Sequence, residues 1–397
     1  MNFDKDNDAL TLYLSGRIDA NNAAQTEIEI VDVLAKNPGL VPTFDASELE
    51  YISSAGLRVL LKFRKQFGKL DVLNASSEVY DIFEVTGFTE LLNVKKRLRE
   101  ISVEGLEVIG GGNFSTVYRL DAETIVKVFT HPTATLAGAE RDRMISREVF
   151  LHDIPTAIAY DVVKAGDKYG LVYEMIDADT VAGTLTKHPE RLEELSLKMA
   201  HLMKKLHTTE FAPGTFPYAG ETLHKWMQNT FKKGLITAED KALIDSAIDR
   251  IPSRNTFLHF DYHPKNIMLS NNELVLIDVG EAGLGHPMFD LILSYRHFVY
   301  VGRTLPEHRS KLHEQVMGVS HKMLEAMWNI TMPEYFCTTD KDKLKRYEEV
   351  ISGYTPIVIL YALSIIAVPE DKRVEAAARS MELLRKVLPA LKPIEEI

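Results

Sequence analysis

The pattern of apolar residues changes along the chain, and this change constrains the fold more than any other feature of the sequence. Near the start of the chain Leu10, Leu12 and Leu14 alternate with polar residues, which is the period of a half-buried strand. Helical spacing follows at about residues 23–35, and short strands and helices then alternate up to about residue 98. Alternation of this kind predicts a small sheet covered by helices, that is, an α/β domain.

A second pattern begins near Val103. The stretch GLEVIGGGNFSTVYRLDAETIVKVF predicts strand, glycine turn, strand, turn and strand, followed by a helix at about residues 136–151 and two more strands. Beyond Pro189 the apolar residues keep helical spacing over most of the chain to Leu391. The sequence therefore predicts three regions: a small α/β domain, a β-rich lobe and a helical lobe.

Composition narrows the class of protein. The 397 residues are 45% hydrophobic and 26% charged, as in a soluble globular protein of two or three domains. The formal net charge of −11 argues against a nucleic-acid binder. The one cysteine, Cys337, permits no intrachain disulfide, and the apolar run at residues 357–368 is too short to span a bilayer. We therefore expect a reduced, soluble, cytoplasmic protein with neither nucleic acid nor membrane among its partners.

A glycine-rich turn and a lysine in the second region indicate nucleotide binding. Three glycines at positions 110–112 lie between predicted strands, where the lack of Cβ atoms lets backbone N–H groups approach phosphates, although such a turn is also common without a ligand. Lys127 follows in the apolar strand IVKVF, where its amine either reaches solvent or pairs with nucleotide phosphates. Glu148 on the next helix could hold this lysine, and Glu140 on the same helix is the main competitor for that role.

The stretch NTFLHFDYHPKNIMLS, residues 255–270, crowds polar side chains between apolar residues. Asp261 and Asn266 lie five residues apart, and Asp278 follows at the end of a short apolar strand. Phosphoryl transfer needs a carboxylate near the attacking hydroxyl and oxygen ligands for magnesium. Asp261 suits the first role, and Asn266 and Asp278 suit the second.

Zinc binding is the rival interpretation of the same stretch. His259 and His263 stand four residues apart, as zinc ligands on a helix do. The sequence nearby offers no cysteine or third histidine, and Pro264 argues against a long helix that would present both side chains.

With these motifs in order, the chain resembles the aminoglycoside phosphotransferase and choline kinase group, a branch of the protein-kinase-like fold. The resemblance rests on HFDYHPKN and LIDVGEAGLGHPMFDL together with the glycine turn and Lys127, and it covers about residues 105–390. It implies a bilobal fold with ATP as co-substrate and Mg²⁺ as cofactor. In LVYEMIDAD the backbones of Glu174 and Ile176 would contact adenine. The roles that the resemblance implies are catalysis by Asp261, Mg²⁺ binding by Asn266 and Asp278, structural support of the loop by His259 and Asp290, and nucleotide binding by Gly110, Gly111, Gly112, Ser115, Lys127, Glu148, Glu174 and Ile176.

Two positions depart from the pattern of this family, and a third departs from the protein-kinase loop in a way that this family tolerates. Phe260 stands where glycine is usual, His286 where an aspartate is common, and Ser115 where the protein-kinase loop has its third glycine. Helical sequence resumes soon after Pro287, so the activation segment of protein kinases has no obvious counterpart, which favours a small hydroxylated substrate over a protein. Five aromatic residues could form a wall for a cationic group or could belong to the core: Tyr295, Phe298, Tyr300, Trp328 and Tyr335.

The first region carries a second resemblance. LSGRIDANNA, DASELEYISSAGLRVLL and VYDIFEVTGFTELLNV resemble the STAS domain of anti-sigma factor antagonists over about residues 8–98. In those proteins a serine at the start of a helix is phosphorylated, and it corresponds to Ser54. A helix N-terminus favours a phosphate, and a new dianion there would change the docking surface. The alternative is that Ser54 is only the N-cap of its helix; Ser53 stands where the family often has aspartate.

These observations predict α/β plus α+β architecture: a STAS-like regulatory domain at residues 1–100, a β-rich, nucleotide-binding kinase-like N-lobe at 101–180, and a helical C-lobe at 181–397 with the catalytic and substrate-binding residues. The leading hypothesis is an ATP- and Mg²⁺-dependent small-molecule kinase whose STAS domain regulates it or recruits a protein partner. Two alternatives stay open. One is a non-catalytic signalling protein whose STAS domain mediates partner switching, and the other is a kinase that acts on protein, including Ser54 itself.

Overall fold

The chain folds into two units in a computed structural model, which describes residues 1–6, 9–112, 114–366 and 368–395. The first unit is Met1–Ser102 with Val163–Asp167, and the second is Val103–Val162 with Lys168–Ile397. The predicted boundaries at residues 100 and 180 stay predictions.

The first unit is built on a five-stranded sheet in the order β1-β2-β3-β4-β5, in which β1 is antiparallel to β2 and the other neighbours are parallel. The alternating Leu10, Leu12 and Leu14 are all buried in its core, as the sequence predicts. A short strand after β5 pairs in parallel with residues 163–165. The strands are β1 (Phe3–Asp6), β2 (Ala9–Ile18), β3 (Pro42–Ile52), β4 (Asp71–Ala75), β5 (Asn93–Lys96) and β6 (Arg99–Ile101).

Four helices cover this sheet. They are α1 (Ala23–Lys36), α2 (Ser54–Phe67), α3 (Ser77–Val85) and α4 (Phe88–Leu91). Gly56 in α2 lies so close to the sheet that a Cβ there would come within 2.7 Å of the Ile18 and Ile52 side chains. The N-terminal end of α2 is thereby fixed against the ends of β2 and β3.

The second unit begins with a sheet in the order β10-β11-β9-β8-β7, in which β7, β8, β9 and β11 pair antiparallel. This is the β-rich region predicted after Val103. Its strands are β7 (Val108–Gly111), β8 (Ser115–Arg119), β9 (Thr124–Phe129), β10 (Ala159–Ala165) and β11 (Lys168–Glu174).

The rest of the second unit is mainly helical, as predicted. Leu195, Met199, Met203 and Leu206 repeat at helical spacing and are buried in one large apolar core. The helices are α5 (Leu136–Leu151), α6 (Val181–Lys187), α7 (Leu192–Thr208), α8 (Ala219–Lys232), α9 (Ala238–Asp249), α10 (Met288–Tyr295), α11 (Val301–Thr304), α12 (Glu307–Met317), α13 (His321–Tyr335), α14 (Lys341–Ile365) and α15 (Glu370–Val387).

Two small antiparallel pairs interrupt the helices and hold the polar stretch identified in the sequence. β12 (Phe257–Leu258) pairs with β15 (Gly283–Leu284), and β13 (Ile267–Ser270) pairs with β14 (Glu273–Leu276). A loop of residues 259–266 therefore connects β12 to β13, and Asp278 follows the end of β14.

Among the described residues, α14 is the one helix whose length and apolar composition would allow it to cross a membrane. Core helices of soluble proteins pass the same test, and 56% of its most apolar window is buried inside the second unit. Tyr354, Ile357 and Leu360 on this helix belong to the apolar core.

Candidate active site

Asp290 fixes the start of the loop between β12 and β13. Its carboxylate accepts hydrogen bonds from the backbone N–H of His259 and of Phe260, each at 2.7 Å. His207 approaches the same carboxylate at 3.2 Å through Nε2, and its Nδ1 lies 2.7 Å from the Tyr335 hydroxyl. These contacts are those of a loop support, which is the role expected for Asp290.

Phe260 occupies a backbone conformation that favours glycine, with φ of 66°. The glycine that the resemblance implies at this position would adopt this conformation without strain. The strain persists because Asp290 holds the N–H of Phe260, and because its ring is buried in the core.

His259 uses both ring nitrogens within the loop. Its Nε2 lies 3.2 Å from the carbonyl oxygen of Ile277, and its Nδ1 accepts the N–H of Asp261 at 3.2 Å. Burial lowers its pKa, which keeps the ring neutral. Since neither nitrogen is left for a metal, the zinc site considered for His259 and His263 is not formed.

Asp261 is partly exposed in this loop, at 41% of its side chain. His263 Nε2 lies 3.3 Å from one carboxylate oxygen, His297 Nε2 lies 3.3 Å from the other, and Asn266 Nδ2 donates at 3.1 Å. Burial would raise the pKa of Asp261, but the two imidazoles outweigh it and hold that pKa well below its usual range. Asp261 is therefore an ionised, accessible carboxylate, as a base for a hydroxyl requires.

Asn266 and Asp278, the predicted metal ligands, are brought together by the backbone. The N–H of Ile277 donates to the carbonyl oxygen of Asn266 at 3.0 Å, directly before Asp278. Asp278 leaves the strand with φ of 62°, in the left-handed region, and its side chain is 48% exposed. The amide nitrogen of Asn266 donates to the carbonyl oxygen and the carboxylate of Asp261, so its amide oxygen is available to a cation. Carboxylate and amide oxygens are ligands that suit Mg²⁺.

Lys127 on β9 reaches this site. Its Nζ lies 2.5 Å from Asp278 Oδ1. Burial would lower the pKa of Lys127, but Asp278, followed by Asp142 and Glu281, raises it above the ordinary value. The carboxylate of α5 that acts on Lys127 is therefore Asp142. Glu148 lies further along the same helix, so its predicted place behind Lys127 gains no support from these contacts.

Glu140, the other candidate on α5, pairs instead with Arg143 at 3.0 Å. Asp142 was not singled out from the sequence, although the helix repeat could have found it. Asp142, Ile145 and Val149 share one face of α5, and the two apolar residues are buried. Burial raises the pKa of Asp142 to about 6, with Lys127 opposing the shift and Glu281 and Asp278 adding to it.

The glycine turn forms the end of the β7–β8 hairpin. Gly110 pairs with Val117 and Gly111 with Thr116, while the N–H of Gly112 donates to the Ser115 carbonyl oxygen at 2.9 Å. A Cβ on Gly111 would meet that oxygen at 3.1 Å, so the tight turn requires a small residue there. Asn113 lies outside the described residues.

The stretch expected to meet adenine follows β11. The Glu174 carboxylate accepts the N–H of Ile158 at 2.8 Å, so this side chain has a local structural role. The N–H of Met175 donates to the carbonyl oxygen of Glu123 at 2.7 Å. Within the part of the chain that the structure describes, the N–H of Ile176 has no hydrogen-bond partner, which leaves it available to a ligand.

His286, which stands where the resemblance implies an aspartate, is buried. Its Nδ1 accepts the N–H of Met288 at 3.3 Å in the first turn of α10. Burial, together with Arg254 and His207, lowers the pKa of His286 to about 4. A neutral imidazole can thus accept the helix-start N–H that a carboxylate would accept.

The aromatic residues considered as a cation-binding wall are part of the core. Tyr295, Phe298, Trp328 and Tyr335 are each at most 6% exposed, and the rings of Tyr295 and Phe298 pack on Trp328. Tyr300 is half-buried against the same cluster. Their burial supports the core interpretation that the sequence left open, while Tyr295 and Tyr300 also line a cavity of about 430 Å³.

Two further residues near Asp261 were missed in the sequence. Arg296 NH2 lies 3.9 Å from Asp261 Oδ1, and His297 approaches the same oxygen. They lie in a π-helical turn, Arg296–Tyr300, that follows α10. The sequence signal that could have indicated them is a pair of basic residues within the mainly apolar stretch from Met288 to Val301. The π-helical turn itself is a feature that is frequent at functional sites.

A group of three donors beside Asp261 could in principle hold a transition metal. The ligand atoms of Asp261, His263 and His297 lie within 4.8 Å of one another. However, the guanidinium of Arg296 contacts His297 Nε2 and lies near Asp261. A fixed positive charge at this distance disfavours a cation, so the oxygen ligands Asn266 and Asp278 are the better metal site.

Ser54 is the first residue of α2 in the other unit. Its neighbour Ser53 is the N-cap, and its hydroxyl accepts the N–H of Ala55 at 3.2 Å. Ser54 is exposed. The alternative that Ser54 serves only as the N-cap is therefore wrong, and its hydroxyl lies at a helix N-terminus that favours a phosphate.

Comparison with known proteins agrees with both units. Residues 105–310 match the model of the phosphotransferase enzyme family, and residues 1–101 match that of the STAS domain. A candidate anti-sigma factor antagonist, BtrV of Bordetella bronchiseptica, is 35% identical over 98 residues, which are 24% of this chain and 84% of that protein. The anti-sigma-B factor antagonist of Listeria monocytogenes is 27% identical over 96 residues, 23% of this chain and 83% of that protein.

Among solved structures, the ADP-bound aminoglycoside phosphotransferase APH(2'')-Ib aligns with 15% identity and a TM-score of 0.48, over 78% of this chain and 98% of the other. The family assignment rests on the sequence match, which spans more than half of the chain. The chain therefore belongs to the phosphotransferase enzyme family, and it carries a STAS domain over residues 1–101.

Proposed function

We propose that this protein is an ATP- and Mg²⁺-dependent phosphotransferase that transfers the γ-phosphoryl group to a hydroxyl of a small molecule, with its STAS domain as a regulator. The observation that carries this proposal is the ionised, exposed carboxylate of Asp261 in one loop with Asn266, adjacent to the Lys127–Asp278 pair. These are the parts that phosphoryl transfer uses: a base, oxygen ligands for a cation and a cation for the phosphates.

Each residue contributes one step. Asp261 accepts the proton of the acceptor hydroxyl, whose oxygen then attacks the γ-phosphorus while ADP leaves. Lys127 would contact phosphate oxygens in place of Asp278, and Asn266 and Asp278 would hold Mg²⁺, which would supply positive charge to stabilise the phosphates. The N–H groups of the glycine turn would contact phosphate, and the N–H of Ile176 would contact adenine.

The proposal is tested with the full-length protein, ATP and Mg²⁺ against a panel of hydroxylated metabolites and aminoglycosides. ADP formation gives the rate, and a new phosphomonoester signal in the ³¹P spectrum identifies the acceptor. Transfer to a small molecule that depends on Mg²⁺ supports the proposal. ATP binding without transfer to any acceptor would favour the non-catalytic alternative instead.

A second candidate function is phosphorylation of protein, and the exposure of Ser54 at the start of α2 favours testing it. In this function the STAS domain binds a protein partner in a manner that depends on Ser54. Intact-mass measurement after incubation with ATP and Mg²⁺ checks it. A mass increase of one phosphate that is absent from Ser54→Ala would identify this residue as the acceptor.

A further inference from the structure

The π-helical turn brings two consecutive side chains to one carboxylate. Arg296 and His297 both lie near Asp261 Oδ1, at 3.9 Å and 3.3 Å. In a regular α-helix, consecutive side chains do not face the same partner. The widened turn therefore aims both groups at the space where the acceptor hydroxyl must lie if Asp261 is the base.

The guanidinium of Arg296 has unused hydrogen-bonding capacity. Its one hydrogen-bond contact among the described residues is with His297 Nε2, and Asp261 is too far for a direct hydrogen bond. Its side chain is 20% exposed, and burial lowers its pKa, with Asp261 opposing that shift. A guanidinium carries several N–H donors in a planar fork, and most of those on Arg296 are left for a ligand.

Arg303, one helical segment further on, shows the contrast. Its guanidinium donates to Glu325 at 2.7 Å and to Glu348 at 2.9 Å. That arginine is saturated by carboxylates of the protein itself, whereas Arg296 has no carboxylate within hydrogen-bond distance among the described residues.

The imidazoles around Arg296 add hydrogen-bonding groups without adding positive charge. His297 Nδ1 lies 3.1 Å from His313 Nε2, and His313 stacks on His321 with ring centroids 5.0 Å apart. Burial lowers the pKa of His297 well below its usual range and that of His313 to about 3. Arg296 is therefore the cation that a ligand on this side of Asp261 would meet.

Arg296 and the nucleotide-side lysine have different electrostatic neighbours. The charges that act on Lys127 are those of Asp278, Asp142 and Glu281. Arg296 lies beside Asp261, with the neutral Tyr361 hydroxyl also near it. Since Lys127 pairs with Asp278 at 2.5 Å and Arg296 lies 3.9 Å from Asp261, the two cations face different carboxylates.

An aromatic pair lies beside this arginine. Tyr361 stacks on Trp226 with centroids 4.0 Å apart and planes 4° from parallel, and Trp226 meets the ring of Phe260 edge-on at 6.0 Å. Both Trp226 and Tyr361 are half-buried. A ligand held by Arg296 would thus have an apolar surface next to it.

We propose that Arg296, which donates to His297 Nε2, forms an anion-binding subsite for the acceptor, which carries a carboxylate or a phosphate as well as the hydroxyl that is phosphorylated. This inference rests on the proposed function. The acceptor O–H loses its proton to Asp261, its oxygen forms the new bond to the γ-phosphorus, and the bond from that phosphorus to the ADP oxygen breaks. A polycationic acceptor such as an aminoglycoside is disfavoured, because its ammonium groups would meet Arg296.

The test uses the full-length protein and probes matched in shape. Glycerate supplies a carboxylate, glycerol 3-phosphate a phosphate, glycerol neither group, and choline a positive charge. Binding of each probe is measured by saturation-transfer NMR titration in wild type, Arg296→Gln, Arg296→Lys and the control Arg303→Gln. Mg²⁺–ATP affinity is measured in parallel by calorimetry.

We expect at least one anionic probe to bind the wild type more tightly than glycerol or choline does. Arg296→Gln should weaken that binding about 10- to 100-fold, because a charge-assisted bidentate contact is lost. Arg296→Lys should recover part of it, and Arg303→Gln should leave it unchanged. Preference for glycerate or for glycerol 3-phosphate tells carboxylate from phosphate.

Two results would overturn the inference. In one, the anionic probes bind no better than glycerol, with or without Arg296. In the other, Arg296→Gln weakens Mg²⁺–ATP rather than the probes, which would assign Arg296 to the nucleotide phosphates. Failure of the proposed function is distinguishable from both, since the wild type would then show no Mg²⁺-dependent ATP binding or no phosphoryl transfer at all.

Discussion

The two sides of the Asp261 carboxylate differ in charge. On one side Lys127 is surrounded by the carboxylates of Asp278, Asp142 and Glu281. On the other side Arg296 is surrounded by imidazoles and aromatic rings, with Asp261 itself as the nearest carboxylate. The Asp261 carboxylate thus lies between an acidic side, which contains Asp278, Asp142 and Glu281, and a basic side, which contains Arg296.

This difference indicates what each side can bind. Three carboxylates around one ammonium leave negative charge that a divalent cation would neutralise, and the cation would carry nucleotide phosphates with it. One guanidinium without a hydrogen-bonded carboxylate leaves positive charge that an anionic acceptor would neutralise. The expectation of a small hydroxylated substrate is therefore sharpened to an anionic one.

Removal of the metal ligand should give the largest effect. Asp278→Ala should weaken Mg²⁺–ATP binding at least ~100-fold, because Asp278 is the carboxylate presented beside Asn266. Asp278→Asn should behave similarly with less strain, since asparagine tolerates the left-handed backbone of this position. Calorimetric titrations with and without Mg²⁺ check both variants.

The control is Glu273→Ala, which removes a carboxylate at the far end of the same β13–β14 hairpin. It should leave nucleotide affinity unchanged. If Asp278→Ala also bound Mg²⁺–ATP as the wild type does, the acidic side would not be the metal site.

Loss of the base should affect the chemical step alone. Asp261→Asn should lower kcat by roughly 10²-fold or more and leave ATP affinity nearly intact, since the amide keeps the shape but cannot accept the proton. Steady-state kinetics with varied ATP separate the two constants. Turnover within a few-fold of wild type would mean that another group takes the proton and that the two sides do not meet at Asp261.

The next prediction tests whether the STAS domain regulates phosphoryl transfer at this site or binds a protein partner. Ser54→Asp should change the phosphotransfer rate or the binding of a protein partner roughly fivefold or more if the domain is coupled to the site. Ser77→Asp is a matched control, because Ser77 is also exposed and also begins a helix behind a serine N-cap. Rates and pull-downs that are the same for wild type, Ser54→Asp and Ser77→Asp would leave the STAS domain without this regulatory role.

The smallest effect is expected in the pH dependence of stability. Burial raises the pKa of Asp142 to about 6, against about 3.9 in an unfolded chain. The native state therefore binds the Asp142 proton more tightly than the unfolded state does. The stabilisation that comes from this proton is present at low pH and is lost as pH rises from about 4 to about 6. The shift corresponds to at most ~3 kcal/mol.

Asp142→Asn should remove this part of the pH dependence. Relative to the variant, the wild type should lose stability over that pH interval and change little above it, as measured by thermal unfolding at several pH values. Glu140→Gln, on the same helix, serves as control. Parallel curves for wild type and Asp142→Asn would show that the carboxylates of the acidic side do not interact as described.

The architecture could be predicted from the sequence because it depends on local periodicity. The alternation at Leu10, Leu12 and Leu14 and the helical spacing after Pro189 each report which face is buried, without reference to distant parts of the chain. The left-handed backbone of Phe260 was not predicted, since the resemblance indicated only that phenylalanine stands where glycine is usual. Its left-handed conformation is stabilised by Asp290, which is remote in sequence.

The parts that could not be predicted depend on tertiary contacts. The choice of Asp142 over Glu148 requires knowledge of which residue of α5 lies near Lys127. The role of Arg296 depends on a π-helical turn that simple α-helical periodicity does not anticipate. Exposed and buried aromatic residues look alike in a sequence, which is why Trp328 was considered for a binding wall and belongs to the core.

The most direct measurement of the central claim is ³¹P NMR of phosphoryl transfer by the full-length protein, with wild type and Asp261→Asn compared at equal saturation with Mg²⁺–ATP. With hydroxylated anionic acceptors present, the account predicts a new phosphomonoester signal for the wild type and, for Asp261→Asn, a signal that grows about 10²-fold more slowly. Equal rates for the two proteins, or no transfer by a wild type that binds Mg²⁺–ATP, would contradict it.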